Sequence, residues 1–159
     1  GADQSAHPSI MRGLKAACTL GLALFLSPAF SQTTTNGSAA SAYMQSKRVV
    51  VDTQKAELCF ADTQDCHRVL IGKSTPKGTF DMNLVSTTAA GYGGEVIGFK
   101  QEGNFLFALH RVWTLKPSER RLERIASDNV ADRIMTNGCI NVSNEVYEKL
   151  RQYFILEII

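Results

Sequence analysis

Short apolar runs separated by turn residues dominate the chain from about residue 48 onward. Runs of four to eight residues rich in branched and aromatic side chains, bounded by Gly, Pro, Asn or Asp, are typical of β-strands. The pattern therefore predicts a β-rich domain. Its predicted strands are 48–51, 56–60, 66–71, 79–85, 96–99, 105–109 and 155–159.

Two segments carry helical rather than strand periodicity. A charged helix is predicted from Pro117 to residue 127, with Leu122 and Ile125 on one face, since proline is favoured in a first helical turn. A second helix is predicted to begin at Ser143 or Asn144, because both residue types are good helix caps. The fold class expected from the chain is mostly β with short helices.

The first 31 residues have the pattern of a secretory signal. A short basic stretch begins at Met11, residues 16–26 are apolar, and small residues precede a cleavage site after Ser31. The apolar run is shorter than the roughly 20 residues that a membrane-spanning helix needs. Residues 1–10 precede the start methionine and are interpreted as an upstream extension or a cloning remnant.

The remaining chain divides into a linker and one domain. Residues 32–46 are rich in Ser, Thr, Ala and Gly and predict a flexible tether. Residues 47–159 are long enough for a single domain with a hydrophobic core.

Charge argues against a nucleic-acid-binding protein. The chain has 17 basic and 15 acidic side chains. Two of the basic and one of the acidic side chains lie in the first 31 residues, so the expected mature chain has 15 basic and 14 acidic side chains. A domain that binds nucleic acid usually has a much stronger basic bias. We therefore expect neither nucleic acid nor, once the signal is removed, a membrane as partner, and we expect a monomer.

The cysteines suggest one bridge and one remaining thiol. Cys59 and Cys66 flank a polar hairpin tip, and a four-residue loop at 61–64 would place them opposite each other. A disulfide is favoured there because exported proteins fold in oxidising compartments; the alternative is two half-buried thiols. Cys18 lies in the predicted signal, so Cys139 is left without an obvious partner.

The surroundings of Cys139 suit a nucleophile. Gly138 permits close approach of the backbone to a substrate carbonyl, the following residues are expected to lead into a helix, and His110 ends the predicted strand 105–109. A cysteine nucleophile needs a base for its proton and donors for the developing oxyanion. The alternative is a buried structural cysteine and a core histidine.

Two other motifs favour no cofactor. Residues 72–75 read GKST, but a P-loop requires glycine where His67 stands, so a turn is the better interpretation. Beyond the signal, His67 and His110 are the only histidines, which is too few for a zinc site. We expect neither a metal nor an organic cofactor.

A cluster of four arginines lies between His110 and Cys139. The charge pattern favours a solvated helix face for this cluster. The alternative is that one or two of the arginines hold a substrate carboxylate through paired hydrogen bonds. The cluster consists of Arg120, Arg121, Arg124 and Arg133.

The segment 136–141, TNGCIN, resembles the [Ser/Thr]-His-Gly-Cys-x-[Arg/Asn] signature of the YkuD-type L,D-transpeptidases. Segment 71–80, IGKSTPKGTF, resembles the family's GK…TPxGxF segment, and residues 108–110 resemble its histidine-bearing strand. Asn137 stands where the family usually has histidine. The interval of 29 residues from His110 to Cys139 is longer than usual, and the charged helix that fills it is expected to act as a lid or as part of the substrate groove.

The resemblance implies a β-sandwich and a set of site residues. Cys139 would be the nucleophile, His110 its base, and the Arg111 carbonyl would orient the imidazole. The amides of Gly138 and Cys139 would form the oxyanion hole. The substrate-binding residues that we predict are Asn137, Asn141, Arg124 and Arg133.

The resemblance also implies a periplasmic or secreted bacterial enzyme that acts on peptidoglycan stem peptides. It would form a thioester on a tetrapeptide stem and pass it to an amine. Two alternatives stay open: an L,D-carboxypeptidase or amidase that hydrolyses such links, and a non-catalytic peptidoglycan-binding module.

Overall fold

A computed structural model describes residues 34–159 of the chain. The predictions for residues 1–33, including the signal peptide and Cys18, lie outside the described residues. No helix within the described range is long and apolar enough to cross a membrane.

Within residues 34–159, nine strands form two sheets, and the predicted mostly-β class is confirmed. In chain order they are β1 Arg48–Asp52, β2 Glu57–Phe60, β3 Asp65–Arg68, β4 Gly78–Asp81, β5 Asn83–Ser86, β6 Glu95–Glu102, β7 Phe105–Arg111, β8 Ile140–Val142 and β9 Ile155–Ile158. The first sheet has the order β3-β2-β1-β9-β4 and the second the order β5-β6-β7-β8. Each sheet contains one parallel pair, β1 with β9 and β7 with β8.

One helix precedes β1, and the other helical segments lie in connections between strands. The helical segments are α1 Thr34–Ser46, α2 Arg121–Ile125, α3 Asn144–Leu150, and two 3₁₀ helices, Pro117–Glu119 and Val130–Arg133. The Ser143 hydroxyl accepts a hydrogen bond from the Val146 amide and caps α3 as predicted.

The main core is enclosed by the two sheets and α3. Side chains from alternate positions of β1, β2, β7 and β8 meet α3 there, among them Val49, Leu58, Leu109, Ile140 and Leu150. In β7 the intervening residues are buried too, on the opposite face of the second sheet. This double burial explains why the run 105–109 is apolar without alternation.

Three sequence expectations need correction. The predicted strand 79–85 is broken at Met82, whose amide donates to the Phe154 carbonyl, so that β4 and β5 lie in different sheets. The expected tether is helical over Thr34–Ser46, where its alanines favour a helix and the Tyr43 ring packs against Phe154.

The charged helix is also different from the prediction. A 3₁₀ turn and the short α2 replace a continuous helix, and Leu122 is 64% exposed. Arg121, next to it, is buried instead. The buried face of this segment is therefore polar. The spacing of Leu122 and Ile125 predicted an apolar buried face, and that prediction is wrong for Leu122.

The hairpin of β2 and β3 confirms the cysteine pairing. Cys59 and Cys66 face each other in the strand register and form a disulfide. Cys139 takes no part in a disulfide. The described part of the chain thus has the one unbridged thiol that the sequence predicts.

The tip of the β2–β3 hairpin is hydrogen-bonded to the segment that follows α3 and to the residue before β1. The Asp62 carboxylate accepts hydrogen bonds from the Tyr153 hydroxyl at 2.6 Å and from Lys47 Nζ at 2.9 Å. These donors, Tyr153 foremost, lower the pKa of Asp62 from 3.8 to about 2. A carboxylate whose pKa is lower in the folded than in the unfolded chain stabilises the fold above its unfolded pKa.

We therefore expect part of the free energy of unfolding to be lost as the pH falls from about 4 towards about 2. Asp62→Asn should make the urea midpoint less dependent on pH over this window. Urea unfolding of both proteins at a series of pH values measures this. Parallel pH profiles would contradict the assignment.

Candidate active site

The register of β7 and β8 brings the predicted nucleophile and base to one face of the second sheet. His110 is paired with Asn141, and Cys139 lies two residues before Asn141. Because side chains alternate between the faces of a strand, Cys139 and Asn141 share a face. Leu109 and Ile140 turn to the opposite face and into the main core. The site therefore lies on the outer side of the second sheet.

The imidazole of His110 is oriented by its own neighbour, as the sequence resemblance implies. Nδ1 lies 2.6 Å from the Arg111 carbonyl oxygen. Since a carbonyl can only accept, Nδ1 carries a proton, and in the neutral imidazole Nε2 is then the acceptor nitrogen. The side chain is fully buried. His110 is thus held in the tautomer that a general base requires.

Asn141 lies against the other side of the imidazole. Its Nδ2 is 3.5 Å from His110 Nε2, a long contact, and its Oδ1 accepts hydrogen bonds from the Trp113 amide and from Arg121 Nη1. Asn141 is fully buried. The sequence predicts Asn141 to bind substrate; in the structure its carboxamide contacts His110.

Cys139 is fully buried in a small apolar cluster. Its neighbours there include Tyr92, Leu106, Ala108 and Trp113. The thiol donates towards the Leu106 carbonyl oxygen at a sulfur–oxygen distance of 3.7 Å. In this conformation the sulfur is protected from solvent, so a substrate reaches it only after part of the cover moves.

The loop that presents Cys139 has a constrained backbone. Gly138 has φ +123°, and a Cβ at this position would lie 2.5 Å from Phe107 Cε1. The Thr136 hydroxyl donates to the Cys139 carbonyl and accepts from the Gly138 amide. The Gly138 amide must therefore release Thr136 before it can act as the predicted oxyanion donor.

The GKST segment holds this loop from the other side. Thr75 Oγ1 accepts from the Gly72 amide and donates to the Gly138 carbonyl, and Ser74 Oγ donates to the Asn137 carbonyl. The segment thus forms a turn, as predicted. Its second role, the positioning of the Cys139 loop, could not be read from the motif, because its partners lie 63 residues away.

Asn137 is half-buried beside the same loop. Its Nδ2 is buried and has no hydrogen-bond partner among the described residues. An unsatisfied donor of this kind costs free energy, and a substrate carbonyl would satisfy it. Its position is compatible with the predicted substrate contact.

The two arginines predicted to bind substrate, Arg124 and Arg133, donate hydrogen bonds to backbone carbonyls instead. Arg133 is buried and donates to the carbonyls of Lys55, Ala56 and Ser127. Arg124 donates to two backbone carbonyls of its own segment. Both guanidinium groups stabilise the connection between β7 and β8.

A glycine-rich loop covers the site. Tyr92 is fully buried, and its ring packs edge-on against His110 with centroids 4.8 Å apart. The Trp113 indole donates to the Ala90 carbonyl, and a Cβ on Gly91 would lie 2.6 Å from that indole nitrogen. Sequence reasoning missed Tyr92, although an aromatic residue between Gly91 and Gly93 is a signal of a packed loop.

The helix after the cysteine is farther away than expected. Strand β8 separates Cys139 from the α3 cap, Ser143. The positive end of α3 therefore does not begin at the thiol.

One group of potential metal ligands occurs in the described part of the chain. It comprises Glu57 and both sulfurs of the hairpin. Those sulfurs are joined in the Cys59–Cys66 disulfide, so they are not available as thiolate ligands.

Comparison with solved structures finds similar folds at low sequence identity. Neither a protein-family model nor a curated relative matches this sequence. An L,D-transpeptidase 1 from Mycobacterium tuberculosis is 11% identical with a TM-score of 0.42, over 72% of this chain and 59% of the other. An L,D-transpeptidase from Mycobacterium smegmatis is 14% identical with a TM-score of 0.43, over 70% and 58%.

A third structure, an LD transpeptidase in complex with imipenem, is 11% identical with a TM-score of 0.44, over 72% of this chain and 59% of the other. The matched region thus spans less than two thirds of each of these proteins.

Proposed function

We propose that the domain is a cysteine acyltransferase that acts on peptidoglycan stem peptides, an L,D-transpeptidase. The observation that supports this most is the orientation of His110. The imidazole donates from Nδ1 to the Arg111 carbonyl. In the register of β7 and β8, His110 lies opposite Asn141, which follows Cys139 by two residues. A base of fixed tautomer on the same sheet face as an unbridged thiol is what nucleophilic catalysis requires.

In the first step, His110 Nε2 takes the proton of the Cys139 thiol. The thiolate attacks the carbonyl at the L-centre of the third residue of a tetrapeptide stem, meso-diaminopimelate in the family that the sequence resembles. The bond to the terminal D-Ala nitrogen breaks, His110 returns the proton to that nitrogen, and D-Ala leaves. The product is a thioester on Cys139.

The oxyanion formed in this step needs donors near Cys139. The amides of Gly138 and Cys139 are the proposed pair. The Gly138 amide is bound by the Thr136 hydroxyl at 3.2 Å. Thr136 would therefore exchange partners as the substrate enters, and the Asn137 carboxamide offers a further donor beside it.

In the second step, an acceptor amine attacks the thioester and gives its proton to His110. The new amide bond then forms as the carbon–sulfur bond breaks, and the thiol is regenerated. If water replaces the amine, the same residues carry out hydrolysis instead. We propose export to the periplasm or the cell exterior as the setting, where a disulfide such as Cys59–Cys66 persists.

Substrate access requires movement of the loop that carries Tyr92. Cys139 and His110 are both fully buried under it. Gly91, Gly93 and Gly94 have φ values of +93°, +70° and +93°, which glycine adopts at little cost. These glycines are the proposed points at which the loop bends.

Incubation of the mature protein with purified sacculi tests the proposal. With an added D-amino acid, we expect stems in which it replaces the terminal D-Ala, identified by mass spectrometry of muropeptides. Shortened stems alone would assign hydrolysis. His110→Gln should lower either product by about 10²-fold or more, because the general base is lost.

Unchanged muropeptides with the folded wild-type protein would contradict the proposal. The matched control is Lys100→Gln, which changes a partly exposed lysine of β6 that pairs with Glu102. It should retain wild-type product levels.

A further inference from the structure

Arg121 is a buried charge within a segment whose sequence suggests a solvated helix. Its side chain is 1% exposed, whereas that of the adjacent Arg120 is 68% exposed. Arg120 has φ +53°, a left-handed conformation at the junction of the 3₁₀ turn and α2. Such a conformation is unfavourable for a side chain larger than glycine. The junction separates the outward Arg120 from the inward Arg121.

The guanidinium of Arg121 is directed at the site. Nη1 donates to Asn141 Oδ1 at 2.9 Å, and Nη2 lies 3.3 Å from Glu119 Oε1. The cation also lies over the Trp113 ring, 5.5 Å from its centroid. Glu119 and Trp113 compensate the buried charge, while the bond to Asn141 joins it to the residue that contacts His110.

Asn141 has only one orientation compatible with its neighbours. The Trp113 amide and Arg121 Nη1 are both donors, at 3.3 and 2.9 Å from the same atom. That atom must be the carboxamide oxygen, since the amide nitrogen can only donate. The nitrogen then faces His110 Nε2, 3.5 Å away.

The orientation of Asn141 in turn restricts His110. A carboxamide N–H directed at Nε2 is compatible only with an unprotonated Nε2. If the carboxamide turned over, its oxygen would face His110 and would favour the opposite tautomer, with the proton on Nε2. That tautomer cannot accept the Cys139 proton at Nε2.

We infer that Arg121 is a positioning residue. Through the carboxamide of Asn141 it reinforces the tautomer of His110 that the Arg111 carbonyl selects at Nδ1. The insert between β7 and β8 therefore contributes to the site by orienting the base. The consequence for turnover rests on the proposed function, whereas the consequence for the imidazole tautomer does not.

The tautomer is measured directly by NMR on protein labelled with ¹⁵N-histidine. Two-bond ¹H–¹⁵N correlations distinguish the two neutral tautomers, and His110→Gln identifies the His110 signals. The wild-type protein should show Nδ1–H alone for neutral His110. Arg121→Met should give a detectable fraction of the Nε2–H form, because only the Trp113 amide, at 3.3 Å, then holds the carboxamide oxygen in place. The Arg111 carbonyl still favours Nδ1–H, so Nδ1–H should remain the major form.

Arg120→Met is the matched control. It removes a neighbouring guanidinium that pairs with Glu123 at the surface, and the Nδ1–H pattern should be retained. A folded Arg121→Met protein that keeps only the Nδ1–H pattern would overturn the inference.

Asn141→Asp keeps the inference testable if Arg121→Met does not fold. Both carboxylate oxygens accept hydrogen bonds, so His110 should hold a proton on Nε2, as the neutral or the cationic form. Persistence of Nδ1–H alone in neutral His110 would again overturn the inference.

Kinetic measurements on Arg121→Met test the role of Arg121 in turnover, separately from its effect on the imidazole. Arg121→Met should lower kcat for stem-peptide exchange by on the order of 10- to 100-fold, with KM changed little, because the base and not substrate binding is affected. A wild-type protein without turnover would overturn the proposed function alone, and the NMR comparison would still decide the role of Arg121.

Discussion

Replacement of Cys139 by alanine should abolish the formation of exchanged or shortened stems while the protein stays folded. The sulfur is the proposed nucleophile, and no other cysteine of the described chain is unbridged. Loss of a covalent nucleophile typically lowers kcat by about 10⁴-fold or more. Muropeptide analysis of sacculi, after incubation with equal amounts of the two folded proteins, measures the loss.

The Cys139 pocket should tolerate this change. Alanine removes only the sulfur from an apolar cluster, so we expect a loss of stability of about 1 kcal/mol. Circular dichroism and urea unfolding establish that the variant is folded. Stem exchange by the folded Cys139→Ala protein at a tenth of the wild-type rate would rule out the thioester mechanism.

Replacement of Gly72 by alanine should have the largest effect on stability. A Cβ at this position would lie 2.1 Å from the Thr136 carbonyl oxygen and 2.8 Å from the Gly138 amide nitrogen. Both contacts are with backbone, which cannot turn aside as a side chain can. We expect a loss of about 3 kcal/mol in the free energy of unfolding, together with displacement of the Cys139 loop.

Urea unfolding measures the stability, and the acylation rate of Cys139 measures the displacement. Gly37→Ala is the matched control, because no atom lies within 4 Å of a Cβ built there and alanine favours the helix that contains it. A Gly72→Ala protein as stable as the wild type would show that the Cys139 loop is not held by this contact.

Strand β1 and the hairpin of β2 and β3 were predictable because their determinants are local, whereas β8 was missed and the predicted strand 79–85 is two strands. The β2–β3 turn at 61–64 sets the register that places Cys59 opposite Cys66. Val49 and Val51 alternate with half-buried positions in β1, as a strand with one fully buried face should. In these segments, propensity, turn chemistry and burial all favour the same structure.

The arrangement around Cys139 was predictable only in part. The resemblance implied the bond between His110 and the Arg111 carbonyl, which is present. The charge pattern favours a solvated face for Arg121, because charge is usually exposed, with a contact to a substrate carboxylate as the alternative. Its burial depends on Glu119, Trp113 and Asn141, and the last of these lies 20 residues farther along the chain.

Mass spectrometry of the protein after incubation with a carbapenem tests the central claim, that Cys139 is a nucleophile activated by His110. The strained lactam carbonyl acylates a reactive thiolate, whereas the sulfurs of the Cys59–Cys66 disulfide cannot react in this way. We expect a single covalent adduct on the peptide that contains Cys139. The adduct should be absent from Cys139→Ala and should form much more slowly in His110→Gln. A folded wild-type protein that acquires no adduct on Cys139 would contradict the central claim.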